Sequence, residues 1–210
     1  MNHARAERAA LADLFVTVGP DAPTLCEGWT TFDLAAHLVL RERRPDAAGG
    51  ILLKPLAGRA ARVQEALKTT KGYPGLIELV RSGPAGLYRL PGLDEVVNTM
   101  EYFIHHEDVR RAQRVWEPRE LPGDLEERFW KQVRAGARVF LRHSPVRVIL
   151  HRAGGGVAIG GPKDATGQVE VTGRAGELLL FCFGRQAHAK VDLSGDDEAI
   201  ARLMDAPLGI

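Results

Sequence analysis

Cysteine is nearly absent from this chain. The 210 residues include two cysteines, Cys26 and Cys182, which lie far apart and form no C-x-x-C pair. A disulfide framework and a four-thiolate zinc site are therefore excluded. Any metal site in this protein has to be built from histidine, aspartate and glutamate.

The chain also lacks a charge imbalance and a long apolar run. It has 28 lysines and arginines against 27 aspartates and glutamates, which gives a formal net charge of +1. No global field is available to hold a nucleic acid or an anionic membrane surface. No stretch approaches the roughly 18 apolar residues of a membrane span, and residues 1–8 lack the apolar centre of a secretory signal. We therefore expect a cytoplasmic protein that binds neither nucleic acid nor membrane.

What the first two-thirds of the sequence does contain is helical periodicity. Apolar residues recur at helical spacing over 3–17. The sequence from Thr30 to Asp33 has the S/T-x-x-D/E form of a capping box, which predicts a helix reaching Arg43 and closed by Pro45 and Gly49-Gly50. Further helices are predicted over 56–68, 74–81, 93–114 and 124–142. Together these segments predict a bundle of at least four helices.

The segment 93–114 has the clearest pattern of all. Its apolar residues follow the spacing i, i+3, i+4, i+7 and i+11, and they are Leu93, Val96, Val97, Met100 and Ile104. Residues with this spacing form one apolar face of a helix with 3.6 residues per turn. We expect that face to pack into the bundle.

The composition changes after Ser144-Pro145. The segments 146–150 and 157–159 are joined by a glycine-rich stretch, which is typical of a β-hairpin. A third strand over 168–171, a buried helix over 176–184, a strand over 189–193 and a helix over 196–204 are predicted to follow. We therefore place a domain boundary near 145, with a helical bundle over 1–145 and a small α+β domain over 146–210.

A polar edge runs along the helix 93–114 beside its apolar face. Its members are spaced by three or four residues, and they are Asp94, Asn98, Glu101, His105 and Asp108. Glu101 and His105 lie one turn apart and project side by side, which suits two neighbouring positions on one metal ion. The alternative interpretation is a solvated helix face with a Glu–His contact.

His37 is the candidate for a third ligand. It lies among alanine, leucine and valine residues in the helix that the capping box begins. An imidazole buried among aliphatic side chains needs a polar partner, which can be a metal ion or a backbone carbonyl group. Two histidines and one carboxylate leave one coordination position open, which is typical of a catalytic rather than a structural zinc.

Three further residues are candidates for a supporting role around this site. Asp33 precedes His37 by one turn, and Asp108 follows His105 by about one turn. Each aspartate is placed either to accept a hydrogen bond from an imidazole N–H or to remain a solvated surface carboxylate. Cys26 is either a thiol close to the metal or an incidental buried cysteine.

Three segments of the chain resemble one enzyme family. The sequences GWTTFDLAAHL over 28–38 and EYFIHHED over 101–108 are similar to the metal-binding helical domain of the mycothiol-dependent maleylpyruvate isomerases, part of the DinB-like superfamily. The sequence VTGRAGELLLFCFGR over 171–185 is similar to the C-terminal domain of the same enzymes, which is akin to sterol-carrier-like α/β folds. The resemblance covers nearly the whole chain. It implies a mainly α protein, with a DinB-like four-helix bundle followed by a small α+β domain.

The resemblance also implies a site and an activity. His37, Glu101 and His105 would be the ligands of Zn²⁺ or another divalent transition metal. Arg185 would be a catalytic residue that clamps a carboxylate of the substrate, although an arginine that complements a helix dipole is the alternative.

A small-molecule thiol, mycothiol by resemblance, would bind the metal as a thiolate. Addition of this thiolate to a small electrophilic substrate would lead to isomerisation or to S-transfer. A non-catalytic metal- or small-ligand-binding protein of the same fold is the alternative function.

Overall fold

The computed structural model describes residues 2–52, 54–84 and 93–209. The helices in these ranges are α1 (His3–Val18), α2 (Thr31–Arg43), α3 (Pro45–Leu52), α4 (Ala57–Ser82), α5 (Leu93–Arg111), α6 (Gly123–Phe140), α7 (Ala175–Cys182) and α8 (Asp197–Met204). The strands are β1 (Arg147–Arg152), β2 (Val157–Gly160), β3 (Gln168–Gly173) and β4 (Asp192–Gly195). The protein is therefore mainly α with a small α+β part, as the sequence predicts. None of the described helices is both long enough and apolar enough to span a membrane.

The chain consists of two compact units. Unit 1 is Met1–Glu117 and unit 2 is Pro118–Ile210. The sequence pattern instead places the boundary near 145, because the apolar stripe of the helix over 124–142 suits a bundle. In the structure this helix, α6, packs against β2 and α7 and so belongs to unit 2. Unit 1 nevertheless contains four long helices, which are α1, α2, α4 and α5.

The start of α2 follows the predicted capping box. The Asp33 carboxylate accepts hydrogen bonds from the backbone N–H of Thr30 at 3.0 Å and from its hydroxyl at 2.8 Å. These bonds satisfy polar groups that a helix start leaves without partners. The cap therefore fixes where α2 begins, and it places His37 in the second turn of the helix.

In the middle of unit 1, one prediction needs correction and another is confirmed. Pro45 does follow the end of α2, but it is also the first residue of α3, and Gly49-Gly50 lies inside that helix. Proline is favoured at this position because its missing N–H has no partner in the first turn anyway. The two helices predicted over 56–68 and 74–81 are confirmed as the two halves of α4, which are separated by a kink at Gly72 with φ +63° and ψ 171°. That backbone conformation favours glycine.

The core of unit 1 lies between α1, α2, α4 and α5. Its largest apolar members include Leu11, Phe15, Leu34, Leu38, Leu76 and Tyr102. Ile104 from the predicted apolar face of α5 is buried and Met100 is half-buried. The side chains of Leu93, Val96 and Val97 lie outside the described residues.

Unit 2 contains a four-stranded sheet in the order β2-β1-β3-β4. The predicted hairpin is confirmed, since β1 and β2 pair antiparallel with Ile149 opposite Ile159. β3 runs parallel to β1 and antiparallel to β4. Alternate residues of β1 and β3 are buried, and every residue of α7 is buried. β4 begins three residues later than the strand predicted over 189–193.

Candidate metal centre

The three residues expected to bind a metal lie together in unit 1. The Nε2 atom of His37 is 3.7 Å from Oε1 of Glu101, and the Nε2 atom of His105 is 3.3 Å from the same oxygen. The ligand atoms of all three residues lie within 4.8 Å of one another. α2 and α5 therefore present two imidazoles and one carboxylate to a common point.

This spacing fits a tetrahedral metal ion. Zn–N and Zn–O bonds of about 2.0–2.2 Å place neighbouring ligand atoms about 3.3–3.6 Å apart. The separation of 3.3 Å between His105 and Glu101 lies in that range, and the separation of 3.7 Å between His37 and Glu101 requires only a small side-chain adjustment. Two nitrogens and one oxygen suit zinc and neighbouring divalent transition metals.

A buried carboxylate orients His105. The Nδ1 atom of His105 lies 2.9 Å from Oδ2 of Asp108, whose side chain is fully buried. When Nδ1–H donates to Asp108, the lone pair of Nε2 points toward Glu101. This is the arrangement in which a second carboxylate holds a metal-binding histidine in the correct tautomer. Of the two interpretations of Asp108, the structure therefore supports the hydrogen-bond acceptor.

Cys26 lies on the far side of the His105 ring from Glu101. Its Sγ atom donates to Oδ2 of Asp108 at 3.3 Å and lies 3.9 Å from Nδ1 of His105. Cys26, His105 and Asp108 form a second group whose ligand atoms lie within 4.8 Å of one another. In this group the atoms are joined by hydrogen bonds, so that the thiol supports the carboxylate that orients His105.

Asp33 does not orient His37. Its carboxylate caps α2 and forms an ion pair with Nζ of Lys68 at 2.6 Å. The ring of His37 packs instead against Trp29, with the two ring centroids 4.9 Å apart, and against His105 at 5.5 Å. The interpretation of Asp33 as an acceptor for His37 is therefore wrong, because its Oδ2 atom caps the helix and its Oδ1 atom pairs with Lys68.

Burial and hydrogen bonding set the protonation of the three candidate ligands. Burial lowers the pKa of His37 and favours the neutral imidazole. Burial alone would raise the pKa of Glu101, but its hydrogen bonds with His105 and His37 hold that pKa well below the usual range. Burial opposes a charge on His105, yet the hydrogen bond with Asp108 raises its pKa well above the usual value. A metal ion at this point would therefore displace a proton from His105.

Arg41 is a further residue of this centre that the sequence did not single out. It lies one turn after His37 on α2, and its Nε atom is 3.2 Å from Oε1 of Glu101. Its guanidinium also donates to Oδ1 of Asn98 on α5. The signal available in the sequence is the spacing of four residues from His37, which places both side chains on the same face of the helix.

A cleft opens beside His37. Its volume is about 470 Å³, which suits a small organic molecule. Trp29 and His37 form part of its wall, and α4 contributes small side chains together with Gln64 and Glu65. A ligand in this cleft would lie against His37.

Arg185 lies in unit 2, whereas the candidate metal ligands lie in unit 1. It follows the end of α7, and its guanidinium donates to the backbone carbonyl of Phe183 at 2.5 Å. Phe183 is the residue that caps α7. This contact corresponds to the alternative role of Arg185, an arginine at the negative end of a helix dipole.

Comparisons of the chain with family models, with characterised proteins and with solved structures found no match. The resemblance to the maleylpyruvate isomerases rests on the three sequence segments quoted above.

Proposed function

We propose that this protein binds one divalent transition metal ion, zinc by its ligand set, and uses it to activate a small thiol toward a small electrophilic substrate. The observation that carries this proposal is the convergence of His37 Nε2 and His105 Nε2 on Oε1 of Glu101, at 3.7 and 3.3 Å. Such a ligand set leaves one coordination position for an exogenous molecule. Mycothiol as the thiol, a DinB-like fold and a cytoplasmic location belong to the same proposal and rest on the sequence.

The residues around the metal centre have distinct tasks in this proposal. His37 and His105 provide neutral nitrogen ligands, and Glu101 provides a negative charge. Asp108 keeps His105 in the tautomer that has a lone pair on Nε2. The bound ion would hold a thiol in its thiolate form at neutral pH.

The cleft beside His37 would hold the rest of the thiol molecule. Trp29 offers a flat apolar surface there, and Gln64 and Glu65 offer polar groups from α4. A pocket of this kind binds a ligand through apolar contact and orients it through a few polar groups.

The proposed chemistry is nucleophilic addition. The thiolate forms a C–S bond with one carbon of an electron-poor double bond, and the electron pair of that double bond moves to the electron-withdrawing group. The substrate then rotates about the resulting single bond, and expulsion of the thiolate restores the double bond in the trans form. If the neighbouring carbon instead takes a proton from water as the electron pair returns to it, the C–S bond is retained and the outcome is S-transfer.

Metal analysis and calorimetry test this proposal. Protein purified without added metal is expected to contain one divalent ion per chain. Mycothiol is expected to bind the zinc-loaded wild type but not His37→Ala. The matched control is His143→Ala, because His143 is exposed and lies in unit 2. Absence of metal from the wild type would contradict the metal site.

A non-catalytic metal- or small-ligand-binding protein is the second candidate. It needs no substrate clamp, and the contact that the structure gives Arg185 is a hydrogen bond to the carbonyl of Phe183 at the end of α7. For such a protein, the zinc-loaded wild type would show no heat of mycothiol binding, whereas removal of His37 would still abolish the bound metal.

A further inference from the structure

We propose that Arg41 forms a carboxylate-binding subsite beside the metal centre. The inference rests on the proposed function and adds a role for Arg41, which would hold a carboxylate group of a molecule bound at the metal centre.

The position of Arg41 places its charge next to the candidate ligands. Its Nε atom is 3.2 Å from Oε1 of Glu101, the same oxygen that faces His37 and His105. A metal ion bound to this oxygen has the guanidinium as a close neighbour. A molecule bound to such an ion on the side of Arg41 would lie within reach of the guanidinium.

A chain of hydrogen bonds holds the guanidinium in place. Arg41 donates to Oδ1 of Asn98, which is 1 % exposed. The amide nitrogen of Asn98 donates to Asp94 at 2.7 Å, and Asp94 accepts from Arg8 at 2.6 and 3.1 Å. Because Asp94 can only accept from the amide of Asn98, the oxygen of that amide is turned toward Arg41. The guanidinium is thus oriented before any ligand arrives, which reduces the entropy lost on binding.

The side chain of Arg41 reaches solvent and has N–H donors that the described residues do not use. The side chain of Arg41 is 22 % exposed. Nε and Nη1 have the partners named above, while no acceptor for Nη2 is found in the described parts of the chain. A guanidinium has five N–H donors in a planar fork that matches a carboxylate group. The unused donors of Arg41 therefore suit one oxygen or both oxygens of such a group.

The charges around the centre also favour an anion. A divalent ion and Arg41 together supply three positive charges, against one negative charge each on Glu101 and Asp108. The negative charge of Asp94 opposes a bound anion only weakly, because Asp94 is already paired with Arg8. In the wall of the cleft, the charged residues are Asp33 and Glu65, and both already pair with Lys68. No lysine or arginine is among the described residues that line the cleft, so Arg41 offers a carboxylate a guanidinium partner that the cleft wall does not.

Acetate binding to the cobalt-loaded protein tests the subsite. Co²⁺ takes the same types of ligand as Zn²⁺, and its visible absorption changes when an anion joins its coordination sphere. In Arg41→Met the Kd for acetate is expected to rise about tenfold, the effect of losing one charge-assisted hydrogen bond. Arg41→Lys keeps the charge but loses the planar fork, so an intermediate Kd is expected.

Arg44→Met is the matched control for this experiment. Arg44 directly follows α2, but its guanidinium pairs with Asp46 at 2.9 Å. The control removes the same charge and leaves the Arg41 side chain in place, so its acetate Kd should equal that of the wild type. Circular dichroism checks that each variant retains its helices.

Three results would overturn the inference. If Arg41→Met binds acetate as tightly as the wild type does, the subsite is absent even where metal and thiol bind as proposed. If the variant loses only cobalt affinity, Arg41 positions Glu101 and does not bind the anion. If the wild type binds no cobalt, the proposed metal site itself fails and the subsite fails with it.

Discussion

Unit 1 and unit 2 bury different kinds of side chain. Among the described residues, twelve of the fifteen buried polar or charged residues lie in unit 1. In unit 2 the corresponding residues are Ser144, Glu177 and Gln186, and its core otherwise consists of apolar side chains. A buried polar group destabilises a fold unless it is paired. The candidate metal centre therefore lies in the unit whose interior is organised by paired polar groups.

The pairing inside unit 1 links its helices. Arg8 of α1 contacts Glu42 of α2 at 2.7 Å and Asp94 of α5 at 2.6 Å. Glu7 of α1 lies 2.9 Å from Nδ1 of His106 on α5. Burial opposes the charge on Arg8, but its hydrogen bond with Asp94 raises its pKa above the usual value. These contacts hold α2 and α5 together next to the candidate ligands.

Removal of Arg8 should give the largest effect on stability. Arg8→Met leaves the buried Glu42 and the half-buried Asp94 without their cationic partner, and breaking a buried pair in this way costs about 3–5 kcal/mol. The matched change in unit 2 is Leu180→Met, which preserves volume in an apolar core and should cost less than about 1.5 kcal/mol. Amide hydrogen exchange, followed separately for unit 1 and unit 2, measures the loss in the free energy of unfolding in each variant. If Arg8→Met and Leu180→Met lowered the free energy of unfolding equally, the proposed difference between the two interiors would be contradicted.

Replacement of Asp108 should affect the metal more than the fold. Asp108→Asn keeps a hydrogen-bond acceptor for His105 but removes the negative charge, so metal affinity should fall by about 10-fold to 100-fold. Competition with a chromogenic chelator measures the change. The control is Asp164→Asn, an exposed position in unit 2, which should not alter metal affinity. An unchanged affinity in Asp108→Asn would show that Asp108 does not support the metal centre.

The smallest effect is expected at the start of α2. Asp33→Asn weakens the capping box and the ion pair with Lys68, which should cost about 1 kcal/mol at pH 7. Burial would raise the pKa of Asp33, but its hydrogen bonds with Lys68 and Thr30 lower it in the folded protein. A carboxyl group with a lowered pKa stabilises the fold above the unfolded pKa of about 4, and that contribution disappears as the pH falls through the folded value.

Chemical denaturation as a function of pH tests this prediction. The difference between the wild type and Asp33→Asn should be present at pH 7 and should shrink below about pH 4. The control is Glu65→Gln, which removes the more exposed partner of Lys68 at 3.3 Å and should cost less than about 0.5 kcal/mol. A difference that persists unchanged at low pH would contradict the role of the Asp33 charge.

The sequence predicts the individual helices and strands better than it predicts which of them pack together in one unit. The capping box at Thr30 and the glycine-rich hairpin turn are local signals, and the structure contains both features. The assignment of α6 to unit 2 depends on which distant surface its apolar stripe covers. A stripe shows that a helix packs against something, but it does not identify the partner.

The same limit applies to the candidate metal centre. The spacing of Glu101 and His105 predicts that they lie side by side on one helix face. Asp33 and Asp108 have equivalent positions relative to a histidine, and only the fold shows that Asp33 caps a helix while Asp108 orients an imidazole. Arg41 was not predicted, because an arginine one turn after a histidine is equally typical of a solvated helix face.

The break at Gly72 separates two functions of α4. Before it, over 57–71, Ala60 is the one buried residue among those described, and this half forms a wall of the cleft. After it, Leu76, Ile77 and Val80 anchor the helix in the core. A protein engineer could therefore vary the cleft-lining residues of the first half to reshape ligand preference, while the second half and the Lys68–Asp33 ion pair keep α4 attached to the bundle.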